Sequence, residues 1–303
     1  MKTLYFDCFS GVSGDMTIGA LIDLGVDFEQ LKKELQKLHL NGYTLSAGKV
    51  SRALVSGTKF DVDVDSSSHP DTVSHQENSH NHHSNSHDQH HIHTHEHSHE
   101  HSHDRHTHHE QQHSDSHDHS YHHQSRGLKQ INEIIEASHL SDWVKQKSKE
   151  IFYRLAVAEG HVHAISPYEV HFHEVGAVDA IVDIVGACIG FEMLGIEHFI
   201  SSPLHVGYGF VKCAHGRYPV PGPGTMELLK GVPIYSKGIE GELVTPTGAA
   251  IVTTLCSEYT RLPEFTLEAI GYGAGSRDIP DFPNMLRLVT GEIKDEKKKV
   301  HHH

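Results

Sequence analysis

Basic residues are scarce in this sequence: 25 lysines and arginines stand against 40 aspartates and glutamates, a formal net charge of −15. A surface for nucleic acid or an anionic membrane needs a basic stripe, so the balance argues against both partners. Long apolar runs are lacking too. The longest, Ala180 to Ile196, is broken by Asp183 and Glu192 and is short for a membrane span. At the N-terminus Asp7 follows Lys2 too closely to leave room for a signal-peptide core. The four cysteines, Cys8, Cys188, Cys213 and Cys256, are far apart with no C-x-x-C pair. That pattern argues against a disulfide framework or a structural zinc site and fits reduced thiols in a cytoplasm.

Apolar residues are almost missing from one segment. Residues 66–125 hold 22 of the 34 histidines but only Val73, Ile92 and Tyr121 as apolar side chains, and carry nine acids against Arg105. Such a segment cannot bury a core and is read as a disordered insert. Without it the remaining 243 residues are ordinary for a globular protein, about 44% apolar. The expected organisation is a first part of an α/β core at 1–65, the His-rich metal-binding insert at 66–125, and a second core part with the candidate site at 126–291. Residues 292–303 are expected to form a tail, its closing His301-His302-His303 read as the remnant of a purification tag and set aside from the fold.

Periodicity supplies the elements. Leu4-Tyr5-Phe6 predicts a strand, and Met16 to Leu24 a helix that stops at Gly25. A second helix puts Phe28, Leu31, Leu35 and Leu38 on one face and is expected to end at Asn41-Gly42. Phe60, Val62 and Val64 alternate with Asp61, Asp63 and Asp65, a half-buried strand with an acidic outer face. Beyond the insert, Leu128 to Ala137 and Asp142 to Glu159 read as amphipathic helices, the second capped by Ser141 and stopped at Gly160. Ala177 to Leu194 is the most apolar helix. Strand-like runs follow near 198–205, 232–235 and 286–290. Strands alternating with helices predict an α/β or mixed α+β layered fold.

Two groups of histidines could handle metal. In the insert His91, His93, His95, His97, His99, His101 and His103 fall at every second residue, overlapping sites for a borderline divalent ion such as Ni, Zn or Cu. The plainer reading of the tract is a solubilising insert. The second group is sharper: His161, His163, His171 and His173 lie within thirteen residues and lead to Glu174. In an extended segment His171 and His173 share one face, with Val170 and Phe172 on the other. The apolar helix that follows carries Asp179 and Asp183 four residues apart, and carboxylates there are costly unless paired or bound to metal. A site of His163, His171, His173, Glu174, Asp179 and Asp183 is one reading. Loop caps or pairs with Arg217 or Arg277 are the structural alternative.

Two glycine-rich turns could cradle phosphate. Ser10-Gly11-Val12-Ser13-Gly14-Asp15 joins a strand to a helix N-terminus, where free N–H groups favour anions. It is neither a P-loop nor a Rossmann fingerprint, and tight strand-to-helix packing explains it equally well. Thr245-Pro246-Thr247-Gly248 precedes another apolar helix, with Thr247 as the natural cap. Residues 271–278, "GYGAGSRD", read as a backbone-accessible loop with a cation, Arg277. The prolines and glycines of 219–224 read as a rigid loop.

Taken together, "FDCFSGVSGDM" at 6–16, "VHFHEVGAVDAIVDIVG" at 170–186, "VPGP" at 220–223, "TPTGAAI" at 245–251 and "GYGAGSRD" at 271–278 resemble the LarC-type nickel insertion family of nickel-pincer nucleotide biosynthesis. Five motifs in order, on both sides of the insert, make the resemblance specific. It implies a nickel chelatase, a lyase-type enzyme, acting on pyridinium-3,5-bisthiocarboxylic acid mononucleotide to form the cofactor of lactate racemase, with CTP and Mn²⁺ or Mg²⁺. Members of the family continue into a C-terminal domain associated with CTP, so the chain resembles the first of two parts. In some relatives a frameshift separates the parts, for which Lys297-Lys298-Lys299 is a suitable place.

This chemistry assigns roles. The ion must leave for sulfur donors, so its protein ligands should be imidazole and carboxylate, not thiolate; His163, His171 and His173 are the candidates. A metal–carbon bond that replaces a ring C–H requires a base, for which His173 and Glu174 are the candidates; Glu174 is the expected base and His173 a ligand, with Asp179 and Asp183 in support. The nucleotide phosphate is expected at Gly11, Ser13, Gly14, Asp15, Thr247 and Arg277. Two rival readings are a nickel store or chaperone with no reaction of its own, and a metal-dependent phosphohydrolase using Asp7, Asp15 and Asp179.

Overall fold

A computed structural model describes residues 1–64, 126–172, 178–213 and 216–293. The chain opens with β1 (Lys2–Asp7), whose centre Leu4, Tyr5 and Phe6 is buried. Ser13 then starts α1 (Gly14–Asp23) by accepting the Met16 N–H on its Oγ. Asp27 caps α2 (Phe28–Gln36) in the same way, accepting the Gln30 N–H at 2.7 Å. The helix ends five residues before the expected Asn41-Gly42, because His39 turns the chain out with a left-handed φ of 53°.

A strand without a signal in the sequence comes next. β2 (Tyr43–Arg52) pairs antiparallel with β3 (Val55–Val64) from Tyr43↔Val64 to Arg52↔Val55. The connection is Ala53-Leu54, both at positive φ. Two-residue hairpin turns of this kind usually advertise themselves with Asn-Gly or Asp-Gly, and this one does not.

After the insert come α3 (Leu128–Ala137), α4 (Asp142–His163) and α5 (Val178–Met193). Ser141 caps α4 as expected, accepting the Val144 N–H at 3.2 Å. Gly160, however, is no stop: the helix continues to His163 and ends at Ala164, which takes the left-handed conformation itself. The segment to 172 alternates as expected, with Val170 and Phe172 buried and His171 exposed.

The remaining chain runs β4 (His198–Ser201), β5 (Leu204–His205), β6 (Gly207–Tyr208), β7 (Phe210–Cys213), β8 (Gly216–Pro219), α6 (Pro223–Leu228), β9 (Ile234–Tyr235), β10 (Gly241–Glu242), α7 (Pro246–Leu255), β11 (Glu258–Tyr259), β12 (Thr266–Ala274) and β13 (Met285–Glu292). Seven strands form one mixed sheet in the order β11-β4-β1-β13-β12-β3-β2. In it β1 runs parallel to β4 and antiparallel to β13, while β12 is antiparallel to β13 and parallel to β3. Strands from both sides of the His-rich segment therefore share one sheet, and their helices share one core that includes Phe6, Phe60, Phe152 and Phe191. This is the mixed α/β architecture that the alternation predicts.

One expectation is corrected here. Residues 271–274 belong to β12 and are not an open loop, and their glycines serve packing. A Cβ at Gly273 would lie 1.8 Å from the Met16 carbonyl oxygen, and one at Gly271 would lie 2.3 Å from that of Ala20. The bare backbone of β12 lets α1 lie directly on the sheet.

Candidate functional site

The turn after β1 is clamped to the segment before α7. The Val12 N–H donates to the Leu243 carbonyl at 3.0 Å, and the Thr245 N–H donates back to the Val12 carbonyl at 3.1 Å. Gly11 adopts φ +81°, and a Cβ there would lie 1.9 Å from the Leu243 oxygen. Gly11 is thus used in joining two loops. Thr245, not Thr247, caps α7: its Oγ1 accepts the Gly248 N–H at 3.2 Å, and the Thr247 hydroxyl lies 3.0 Å from it. The reason is Pro246 at the first helical position, which sets the cap one residue before it.

These contacts bring the N-terminal ends of three helices, α1, α5 and α7, to a single open cleft of about 340 Å³. Its walls are Ser13 and Asp15 from α1, Lys59 to Val62 from β3, Asp179, Ala180 and Asp183 from α5, Thr245 to Thr247 from α7, and Ser276. The positive ends of the helix dipoles meet a set of carboxylates, which is the favourable sign.

Asp183 is the most perturbed group in the cleft. The residue keeps some exposure, yet its Oδ1 is sealed from solvent and has no hydrogen-bond partner among the described residues. Its other oxygen lies over Gly14, where a Cβ would come within 2.5 Å of Oδ2. Burial, with the neighbouring charges of Asp15 and then Asp179, pushes the carboxyl well above the usual carboxylate range; the Lys59 ammonium and the Asp15 N–H oppose this. Asp15 is itself held by Ser13, whose hydroxyl donates to it. Lys59 lies between Asp15 Oδ2 at 2.8 Å and Asp61 Oδ1 at 2.7 Å and donates to the Phe60 carbonyl at 2.8 Å. Burial would lower its pKa, but the two carboxylates outweigh it and the ammonium is held above the ordinary lysine value. All three of its N–H donors are engaged.

The cleft thus gathers Ser13, Asp15, Thr247, Asp179 and Asp183 from the residues singled out in the sequence, with Gly14 packed beneath Asp183. It adds Lys59, Asp61, Thr245 and Ser276, which sequence reasoning missed. Lys59 shares a strand face with Asp61, so the alternation that revealed the acidic face, carried two residues further back, reaches it. Of the candidate histidines, the two described ones, His163 and His171, lie elsewhere. His163 is on the last turn of α4, its Nε2 3.5 Å from Glu159 Oε2, while the exposed His171 bridges through its backbone to Gly127. Neither lines the cleft. His173, Glu174 and the tract histidines His91 to His103 lie outside the described residues. Among the described residues, no three His, Cys, Asp or Glu side chains form a group that could hold a metal ion.

Two further residues have other partners. Arg277 donates to the carbonyl oxygens of Glu240 at 2.7 Å and Glu242 at 3.4 Å, outside the cleft lining. Asp7 accepts from Arg287 Nε at 2.9 Å and also lies outside it, so the cleft does not join Asp7 to Asp15 and Asp179 as the hydrolase reading requires. Among the described residues no helix is long and apolar enough to cross a membrane.

A profile of the nickel insertion protein family matches residues 4–303. The chain belongs to this nickel insertion family. Among its relatives is a protein of Geobacillus kaustophilus named pyridinium-3,5-bisthiocarboxylic acid mononucleotide nickel insertion protein, 46% identical over 292 residues that cover 96% of this chain and 60% of the relative. Proteins of the same name from two strains of Desulfitobacterium hafniense are 46% and 45% identical over 298 residues, 98% of this chain and 60% of each relative. The chain spans about three-fifths the length of these relatives. No solved structure matches it. In this nickel insertion family member, four of the five motifs read from the sequence, those at 6–16, 170–186, 245–251 and 271–278, contribute residues to the one cleft.

Proposed function

We propose that the chain carries the nickel-loading half of a pyridinium-3,5-bisthiocarboxylic acid mononucleotide nickel insertion protein, and that the cleft between α1, α5 and α7 is where substrate and ion meet. The observation that carries this reading is the convergence of Asp15, Asp179 and Asp183 with three helix N-termini in one opening. Carboxylates attract the dication, and the helix ends with the Thr245 and Thr247 hydroxyls suit the single phosphate of a mononucleotide. In the reaction nickel(II), as substrate, bonds to a ring carbon between two thiocarboxylate sulfurs. The C–H bond breaks heterolytically and its proton passes to a carboxylate, for which we keep Glu174, four residues before α5.

The His-rich tract captures the ion and delivers it through His163, His171 and His173, while Gly11, Gly14 and Arg277 stay in the reading only as supports of the phosphate loop. The cleft does not fit CTP. Lys59, the one cation lining it among the described residues, has no donor left for a triphosphate. We therefore place CTP with its Mn²⁺ or Mg²⁺ on the C-terminal part that the longer relatives carry, the partner of this chain, and lactate racemase as the recipient of the product. A cytoplasmic setting, where thiols stay reduced, accords with the buried free thiols of Cys8, Cys188 and Cys256.

The test is reconstitution with the C-terminal part of a relative, CTP, Mg²⁺, NiCl₂ and the pyridinium substrate, following the nickel-bound product. Asp179→Ala and Asp183→Ala should each slow insertion about 10²-fold or more while the fold persists, in line with the usual contribution of positioned acid–base groups. Wild-type rates in both variants would remove the cleft from the reaction.

A further inference from the structure

A second opening, independent of the nickel reading, lies between α4, α6 and the end of α7. Its volume is about 410 Å³, within the range of small-molecule sites. The floor is apolar, with Val157, Ala158 and Leu228. Among the described residues, the charged side chains around it are paired with one exception. Glu227 takes Lys230 at 2.6 Å and His161 at 3.2 Å. Glu150 takes Lys147 at 2.7 Å and Gln146 at 2.8 Å.

The exception is Arg154. It stands one turn after Glu150, the position at which a helical acid and base normally pair. Glu150 has instead turned back to Lys147, leaving the half-buried guanidinium at the cleft wall with no carboxylate and no hydrogen bond among the described residues. Its charge acts on the phenol of Tyr259, which is neutral at ordinary pH and is no counter-ion. Thr254 lines the same opening, and its buried hydroxyl has no hydrogen-bond partner among the described residues. Half-buried guanidinium groups are ordinarily matched, since five N–H donors removed from water need acceptors.

We propose that this cleft binds a small oxyanion, a carboxylate or a phosphate, with Arg154 as its fork-shaped anchor, Thr254 as a further donor and Lys230 at the rim. Any apolar body attached to the anion rests on Val157 and Leu228. The planar guanidinium suits the two oxygens of either group, which a lysine would not match.

Calorimetric titration of the full chain with sodium benzoate and with potassium phosphate tests this. At about pH 8 the imidazoles of the His-rich tract are neutral and do not compete. The expected result is saturable binding of at least one probe, weakened about tenfold or more in Arg154→Gln and measurably in Thr254→Val. Arg154→Lys should recover part of the loss by restoring charge without the fork. The tighter probe identifies the source, a carboxylate with an apolar body if benzoate, a phosphate if phosphate. Absence of saturable binding in the wild type, or equal binding in Arg154→Gln and Thr254→Val, overturns the proposal. The two variants sit on different helices, so loss of fold in one leaves the other to decide.

Discussion

The carboxyl group of Asp183 fills the space in which a side chain at residue 14 would begin: a Cβ on Gly14 would stand 2.5 Å from Asp183 Oδ2. Helix α5 thereby sets a carboxylate against the first turn of α1, where it accepts the Asp15 N–H and faces the cleft. Residue 14 must be glycine for this approach, not for its backbone angles, because it is the first residue of a right-handed helix.

Gly14→Ala should therefore destabilise the protein by about 1–3 kcal/mol, the usual penalty for overpacking, although alanine is the better helix former. Asp183→Ala in the same chain should return only part of that loss, since it removes the carboxyl but keeps the Asp183 Cβ, which also lies 2.5 Å from the new Cβ. A double-mutant cycle of thermal unfolding measures the coupling. Additive effects of the two changes would mean that Gly14 and Asp183 do not meet as described.

Asp183 also ties stability to pH. Its carboxyl titrates well above its unfolded value of about 3.9, because burial and the charges of Asp15 and Asp179 disfavour the anion. A raised folded pKa gives stability that is complete below the unfolded pKa and is lost as pH rises through the folded one. Asp183→Asn stays neutral throughout and keeps an oxygen for the Asp15 N–H. Its melting temperature relative to wild type should climb as pH is raised from about 4 toward neutrality. A difference that stays flat over this range would contradict the perturbed carboxyl.

At the other wall of the cleft the hydroxyl that caps α7 can be told from the one that only touches it. Thr245→Ala removes the acceptor for the Gly248 N–H and should cost about 1 kcal/mol. Thr247→Ala leaves that bond in place and should cost clearly less, while weakening any phosphate ligand held at the helix end. Chemical denaturation of both variants decides, and the reverse ranking would return the cap to Thr247.

How much of this was legible beforehand depended on what each feature was made of. Apolar periodicity announced β1, α1, α3, α4, α5 and β13, because burial of one face leaves a repeating trace. β2 was invisible: Ala53-Leu54 turns a hairpin with residues that carry no turn signal. Part of β12 reads in sequence as a loop, because glycines that admit α1 look like glycines that admit a ligand. The same ambiguity ran through the site. Asp179 and Asp183 stood out as charges on an apolar helix and do line the cleft, whereas Lys59 was hidden among surface residues of a strand. That Arg277 would spend its donors on the carbonyls of Glu240 and Glu242 rests on a contact some 35 residues away, which no local pattern encodes.

The His-rich tract makes the nickel reading testable apart from the cleft. Its 22 histidines should bind several nickel ions near neutral pH and lose them as the imidazoles protonate, around a pKa of about 6.5. Deletion of 66–125 should remove most sites in a calorimetric titration and leave insertion intact at high nickel. A pure store would lose its whole role with the tract. Unchanged stoichiometry after deletion would sink the capture idea.

The tract-deleted chain then separates base from ligand among His171, His173 and Glu174. Loss of a ligand removes a direct metal bond, so His171→Ala and His173→Ala should weaken nickel binding. Loss of a base should leave that affinity nearly unchanged and slow bond formation at the ring carbon by about 10²–10⁴-fold. Glu174→Gln is the critical variant, because it keeps size and polarity while removing the proton acceptor. In single-turnover insertion with the C-terminal part and CTP supplied, deuterium at the reacting carbon should produce an isotope effect that grows in Glu174→Gln as proton abstraction becomes limiting. If turnover and isotope sensitivity stay at wild-type levels, the proton goes elsewhere. Asp183, the carboxyl in the cleft whose environment already favours its protonated form, is then the next base to test.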